Sequence, residues 1–219
     1  MSGALQAVFQ NLRSFGLPPP TVIGQAYGGG YYAGQISTAG NGIADFYLVT
    51  GPASSAGNVY RQWKTSNTST TGTSSVIDGP TNSANMNNSS HPAAQFCEGL
   101  TIGGFSDWYL PAKNELEVCY YNLKPTTDSN NTNSGINPNA VPARASNYTT
   151  GTPAQTAAAI FKVGGAETYS LATFNGYWSS TQTSNSTYAY GQYFNNGKQY
   201  NVLTKTSNYM VRAVRRVAV

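Results

Sequence analysis

The chain has 219 residues, enough for one large domain or two small ones with a sizeable buried core. Only 9% of its residues are charged, against about 25% in an ordinary globular protein, and polarity comes instead from Asn, Ser, Thr, Gly and 16 tyrosines. This balance argues against a disordered chain, and a net charge of +4 gathered largely at Arg212, Arg215 and Arg216 lacks the broad basic stripe of a nucleic-acid binder.

Residues 3–14 place Leu5, Val8, Leu12 and Phe15 at helical spacing with Phe9 beside them. A stripe this short needs a partner surface to be stable, so it predicts an attachment arm, and a short seam of this kind also suits a homo-oligomer, a trimer being one form. Gly16 stops the helix and Pro18, Pro19 and Pro20 form a stiff spacer, giving an arm over 1–20 and a domain over 21–219. The start shows neither a secretory leader pattern nor a lipobox-like cysteine, and no run approaches the ~18 apolar residues of a membrane span. Synthesis in a cytoplasm without membrane insertion is expected.

From Val22 the pattern turns to β: two strands about a glycine turn, then "DFYLVT" ended by Gly51 and Pro52. Gly28, Gly30 and Ala33 match a dinucleotide-type glycine spacing, but "YYAGQIS" is β-like and opens no helix. Residues 53–87 read as a long ordered loop docked through Trp63, Val76 and Ile77. Helices are expected over 91–99, capped by Ser89 or Ser90, and over 112–123, with Leu116, Cys119, Tyr120 and Leu123 on one face. These two helices should share one core through Phe96, Cys97, Trp108, Leu116 and Cys119. A polar insertion over 125–151 precedes a third helix, Thr152 to Gly164, and the rest is β: 177–180, 189–194, 199–203 and 209–217, with "NNG" at Asn195 as a hairpin turn.

Candidates for chemistry are few. Glu98, Asp107, Glu115 and Glu117 are the tight carboxylate group, and each has a structural explanation. His91 beside Pro92 starts a helix, and no G-x-S-x-G elbow accompanies it. Cys97, Cys119 and His91 do not make a tetrahedral zinc site, so no metal or other cofactor is expected. The cysteines read as reduced core thiols, with a disulfide the alternative if the helices lie side by side. What remains is "YWSSTQTSNSTYAYGQYFNNGKQYNVLTKTSNY", where tyrosines offer stiff contact faces among adaptable polar groups. Strand alternation puts about half of its aromatics in a core, Trp178 first among them. The hairpin bracketed by Tyr188, Tyr190, Lys198 and Tyr200 is the candidate binding surface.

Four stretches, "HPAAQFCEGL" from His91, "DWYLPAKNELEVCYYNL" from Asp107, "GYWSST" from Gly176 and "YMVRAVRR" from Tyr209, together resemble bacterial and phage domains of the C-type-lectin-like group. That group includes the formylglycine-generating enzymes and the variable proteins of diversity-generating retroelements. The resemblance is firm over 88–219 and looser over 22–87. It implies an α+β fold: two packed helices, a small twisted antiparallel sheet and long polar loops, preceded here by the short N-terminal helix. Calcium lectins of the group use Glu-Pro-Asn or Gln-Pro-Asp, and neither occurs. The arm is similar to attachment segments of phage tail-fibre proteins. The expected role is therefore a virion surface protein made in the host cytoplasm. It would be a tail or head fibre component held to other virion proteins by the arm and displaying its C-terminal face to a host glycan or protein. A capsid decoration protein, a cellular adhesin-like domain and an enzyme on the same fold are the alternatives.

Overall fold

The computed structural model describes residues 18–171 and 176–219. Apart from its three prolines, the expected arm, with Leu5, Val8, Phe9, Leu12 and Phe15, lies outside the described residues. In chain order the elements are β1 (Ala26–Tyr27), β2 (Gly30–Ile36), β3 (Phe46–Thr50), α1 (Ala53–Ala56), β4 (Gly57–Gln62), α2 (Gly79–Ala84), α3 (Pro92–Glu98), α4 (Lys113–Leu123), β5 (Ala140–Val141), a 3-10 turn (Ala159–Phe161), β6 (Tyr177–Gln182), β7 (Tyr188–Gln192), β8 (Gln199–Thr204), β9 (Asn208–Arg212) and β10 (Val214–Ala218).

The architecture is mixed but mostly β, and it contains two sheets where one small sheet was expected. The first runs β1–β2–β3–β10, with β5 also on β2, all antiparallel. The second runs β4–β9–β6–β7–β8 and is antiparallel except where β6 and β9 lie parallel, Tyr177 opposite Met210. The strand expected over 209–217 is broken at Ala213. Its N–H donates to Ala56 O (2.8 Å) and its carbonyl accepts from Gly51 N–H (2.9 Å), so the chain leaves one ladder and joins the other.

Helix α4 lies on β2 at Gly34, whose φ is +136°. A Cβ there would fall 2.4 Å from Asn122 Nδ2 and 2.9 Å from Val118 Cγ1, so only glycine permits this approach. Leu116, Cys119, Tyr120 and Leu123 are buried as their spacing requires, and so are Glu115 and Glu117. Glu115 reaches back to the N-cap, its Oε2 accepting from Ala112 N–H at 2.7 Å, while Oε1 accepts from Tyr109 OH and from Arg216 Nε.

The two helices do not form the expected common core. Helix α3 packs on α2 and β4, so Cys97 and Trp108 join Trp63 and Trp178 in one hydrophobic cluster. Leu116 and Cys119 join Tyr169, Tyr177 and Phe194 in another. Both cysteines are buried and free. The N-cap of α3 is His91 rather than a serine, and it makes no side-chain cap because its imidazole bonds Thr70 and Asn88. Residues 53–87 hold α1, β4 and α2 instead of a single loop, with Trp63 fully buried and its indole N–H on Ser179 O at 2.9 Å.

The third helix is reduced to the 3-10 turn. Its would-be first carbonyl, Pro153 O, instead accepts from Asn130 Nδ2 (2.9 Å) and Lys124 Nζ (3.2 Å), and Thr156 N–H donates to Lys124 O (2.9 Å). Tertiary partners thus outcompete the local helical pattern.

Candidate functional site

The β7–β8 hairpin turns through Asn195, Asn196 and Gly197, as "NNG" predicts. Gly197 has φ +74°, and its N–H donates to Tyr193 O at 2.8 Å. The tip is not free, however. Asn131 N–H donates to Asn196 O (2.8 Å), and Gln199 N–H donates to Ser134 Oγ (3.0 Å), so the 125–151 segment clasps the hairpin from outside. That segment is itself fixed by buried amides. Asn130 Nδ2 donates to carbonyls of Thr149, Thr150 and Pro153 while its Oδ1 accepts from Tyr120 OH at 2.6 Å. Asn137 Nδ2 donates to Asn114 O and Glu117 Oε2.

Tyr188, Tyr190, Lys198 and Tyr200 are all half-buried, and the structure splits them. Tyr190 shares a narrow cleft with Lys113, Leu116, Ser179, Gly191, Gln192 and Gln199, and Lys113 Nζ lies 5.5 Å from its ring centre. Tyr200 follows Gln199 on β8 and therefore points the other way, where it packs on the cluster holding Ala189 and Leu203. There Tyr193 lies 4.5 Å from its ring and Lys198 Nζ lies 4.3 Å from the ring centre. Burial, with Tyr209 and Tyr200 nearby, pushes the Tyr193 hydroxyl up to about 12, so it stays a neutral donor. Trp178 is fully buried, its indole N–H on Arg61 O at 2.9 Å.

Beside Tyr190 opens a groove of 410 Å³, absent from the sequence reading. Its floor is Lys113 and Asn114 at the start of α4 together with Gln199, and its walls include Val76, Ile136, Pro138, Asn133 and Asn147. Val76 and Ile136 are 40% and 51% exposed and turn apolar surface toward the groove. Gln199 Nε2 and, in the adjoining cleft, Gln192 Oε1 are buried without a hydrogen-bond partner among the described residues. Desolvation lowers the pKa of Lys113, against an opposing pull from Glu117.

The candidate carboxylates disperse into structural roles. Glu117 is buried and bonds Arg144, Tyr148 OH and Asn137. Asp107 forms a two-point pair with Arg215 (2.7 and 2.9 Å), and Glu115 pairs with Arg216 at 2.8 Å. Burial raises the pKa of Glu98. His91 is held by Thr70 Oγ1 on Nε2 (2.8 Å) and Asn88 Oδ1 on Nδ1 (2.9 Å). Asn88 Oδ1 can only accept, so Nδ1 carries the proton, and in the neutral ring Nε2 accepts from the Thr70 hydroxyl, which itself accepts from Lys64 Nζ (3.0 Å). Burial first, then Lys64 and Lys205, lower the imidazole pKa to about 4. Among the described residues no group of three or more His, Cys, Asp or Glu is placed to hold a metal ion.

The family model of the Lcl C-terminal domain matches residues 60–215, from within β4 to within β10, and so takes in the groove and the whole hairpin. No curated protein and no solved structure matches the chain.

Proposed function

Because this chain belongs to the Lcl C-terminal domain family, we propose that it is a display and recognition domain of a bacterial or phage surface, and more narrowly a virion fibre component that engages a host glycan or protein. The observation that carries this reading is the hairpin: Tyr188, Tyr190 and Tyr200 offer partly open aromatic faces, and Lys198 one cation, on a support clasped by Asn131 and Ser134. A rigid surface of this kind binds without a large ordering cost. The C-type-lectin-like kinship is part of the same proposal. It is supported by the chain order of α3, the Trp108 corner, α4, the Trp178 strand and the basic strand pair β9–β10. No reaction is assigned, because the carboxylates and the histidine are engaged in structural bonds.

The test is adsorption to host cells by particles carrying Tyr190→Ala or Tyr200→Ala. Recognition predicts roughly tenfold weaker adsorption for at least one variant, the loss of a modest hot spot, with little change in melting temperature. Unchanged adsorption together with particles that fall apart on heating would replace this reading with capsid decoration.

A further inference from the structure

We propose that the groove floored by Lys113 and Gln199 binds the carboxylate of a polypeptide, with an adjacent aliphatic side chain seated against Val76, Ile136 and Pro138. This site is separate from the Tyr200 face, and the inference stands whether or not that face recognises a host.

Three observations support it. First, Lys113 lacks the oxygen acceptors that hold Lys64, Lys124 and Lys205, and unlike Lys198 on Tyr200 it borders the groove. Lys64 donates to Ser69 O and Thr70 Oγ1, Lys124 to Asp128 O and Pro153 O, and Lys205 to Thr68 O and Gln182 Oε1. Among the described residues Lys113 Nζ has only the Tyr190 ring. The nearest carboxylate along the helix, Glu117, is saturated by Arg144, Tyr148 and Asn137. A partly desolvated ammonium next to an open groove is complementary to one anionic oxygen pair.

Second, Gln199 lines the same groove, and its Nε2 is buried with no acceptor among the described residues, so turning the amide into the groove breaks no protein hydrogen bond. A carboxylate has two oxygens and can accept from Lys113 and Gln199 together. A single cation suits one carboxylate better than a phosphate dianion, which usually gathers several.

Third, the walls are aliphatic. Among the described residues no tyrosine or tryptophan lines the groove, so a sugar ring would lack an aromatic face to stack on, whereas Val76, Ile136 and Pro138 match the shape of a Val, Leu or Ile side chain. The volume, 410 Å³, is in the range of pockets that take small ligands, large enough for a terminal residue and part of its neighbour.

The experiment is a titration of the full chain followed by amide NMR, reading the side-chain NH2 signals of Gln199 and the backbone signals of Lys113 and Ile136. The probes are acetyl-Ala-Val-Val with a free C-terminus, the same peptide as its C-terminal amide, acetyl-Ala-Glu-Val-amide, and sodium glucuronate. The proposal expects one of the two carboxylate peptides to shift these signals and the plain amide to bind roughly tenfold more weakly or worse. Preference for the free terminus assigns a chain end, and preference for the Glu peptide assigns an acidic side chain. Lys113→Gln should abolish the shift. Ile136→Asp, on the exposed rim, should do the same with the melting temperature unchanged, which guards against loss of fold. Equal binding of acid and amide, tighter binding of glucuronate, or no shift with any probe overturns it.

Discussion

Two polar segments of this molecule look alike in composition and are held in opposite ways. The 64–73 segment is gathered around cations. Lys64 and Lys205 both reach Thr68 O, Lys64 also takes Ser69 O, and Lys205 lies 4.6 Å from the Trp63 ring centre. The 125–151 segment is gathered mostly around neutral amides, Asn130, Asn137 and Asn139, anchored to the Glu117–Arg144 pair. The difference teaches how a chain with few charges fixes long loops. Backbone carbonyls need donors, and either ammonium groups or carboxamides supply them. Ammonium groups titrate and carboxamides do not.

The largest effect should come from the amide side. Glu117→Ala would leave Arg144, Tyr148 OH and Asn137 Nδ2 without their acceptor, and the expected loss is about 3–5 kcal/mol of unfolding free energy by denaturant titration. A loss under about 1 kcal/mol would show that the network does not hold the segment. Asn130→Ala removes donors to three carbonyls and the acceptor for Tyr120 OH. It should cost about 2–3 kcal/mol, and hydrogen exchange should quicken through 128–153.

On the cation side the contrast appears in acid. The folded pKa of His91 is about 4 against an unfolded value near 6.5, so between those values the unfolded chain binds more protons. Stability is therefore full above about pH 6.5 and falls as the pH drops toward 4. The imidazole is nearly covered, at 5% exposure, yet it lies close to the surface under the 64–73 segment, so an expected loss of about 1–3 kcal/mol allows for solvent screening. His91→Gln should flatten that pH slope, and an unchanged slope would remove His91 from the account. The smallest effect should be Lys64→Met, under about 1 kcal/mol, since Lys205 still reaches Thr68 O. Faster exchange should be confined to 66–72.

Much of this was legible from local pattern. Strand β3, helix α4, the buried Trp178 and the "NNG" turn follow from alternation, helical spacing and turn chemistry. What failed were readings that depend on distant partners. The 152–164 helix has good local signals, but Pro153 O was already taken by Asn130 and Lys124. Strand β4, "GNVYRQ", is a half-exposed edge with no clean alternation, so only its pairing with β9 reveals it. The groove was invisible because Val76, Ile136, Lys113 and Gln199 come from four separate parts of the sequence. One clue was present: Lys113 is the first residue of α4, where the helix dipole disfavours a cation, and a broken local rule often marks a site.

The crossing of the final strand from one sheet to the other at Ala213 has a kinetic meaning. β9 fills the place between β4 and β6, and β10 lies beside β3, each partner far back in the sequence. Neither sheet has its full set of strands until this one segment arrives, and Arg212, Arg215 and Arg216 bring their ion pairs at the same moment. Assembly should thus wait on late, long-range closure, giving slow folding with both sheets gaining protection together.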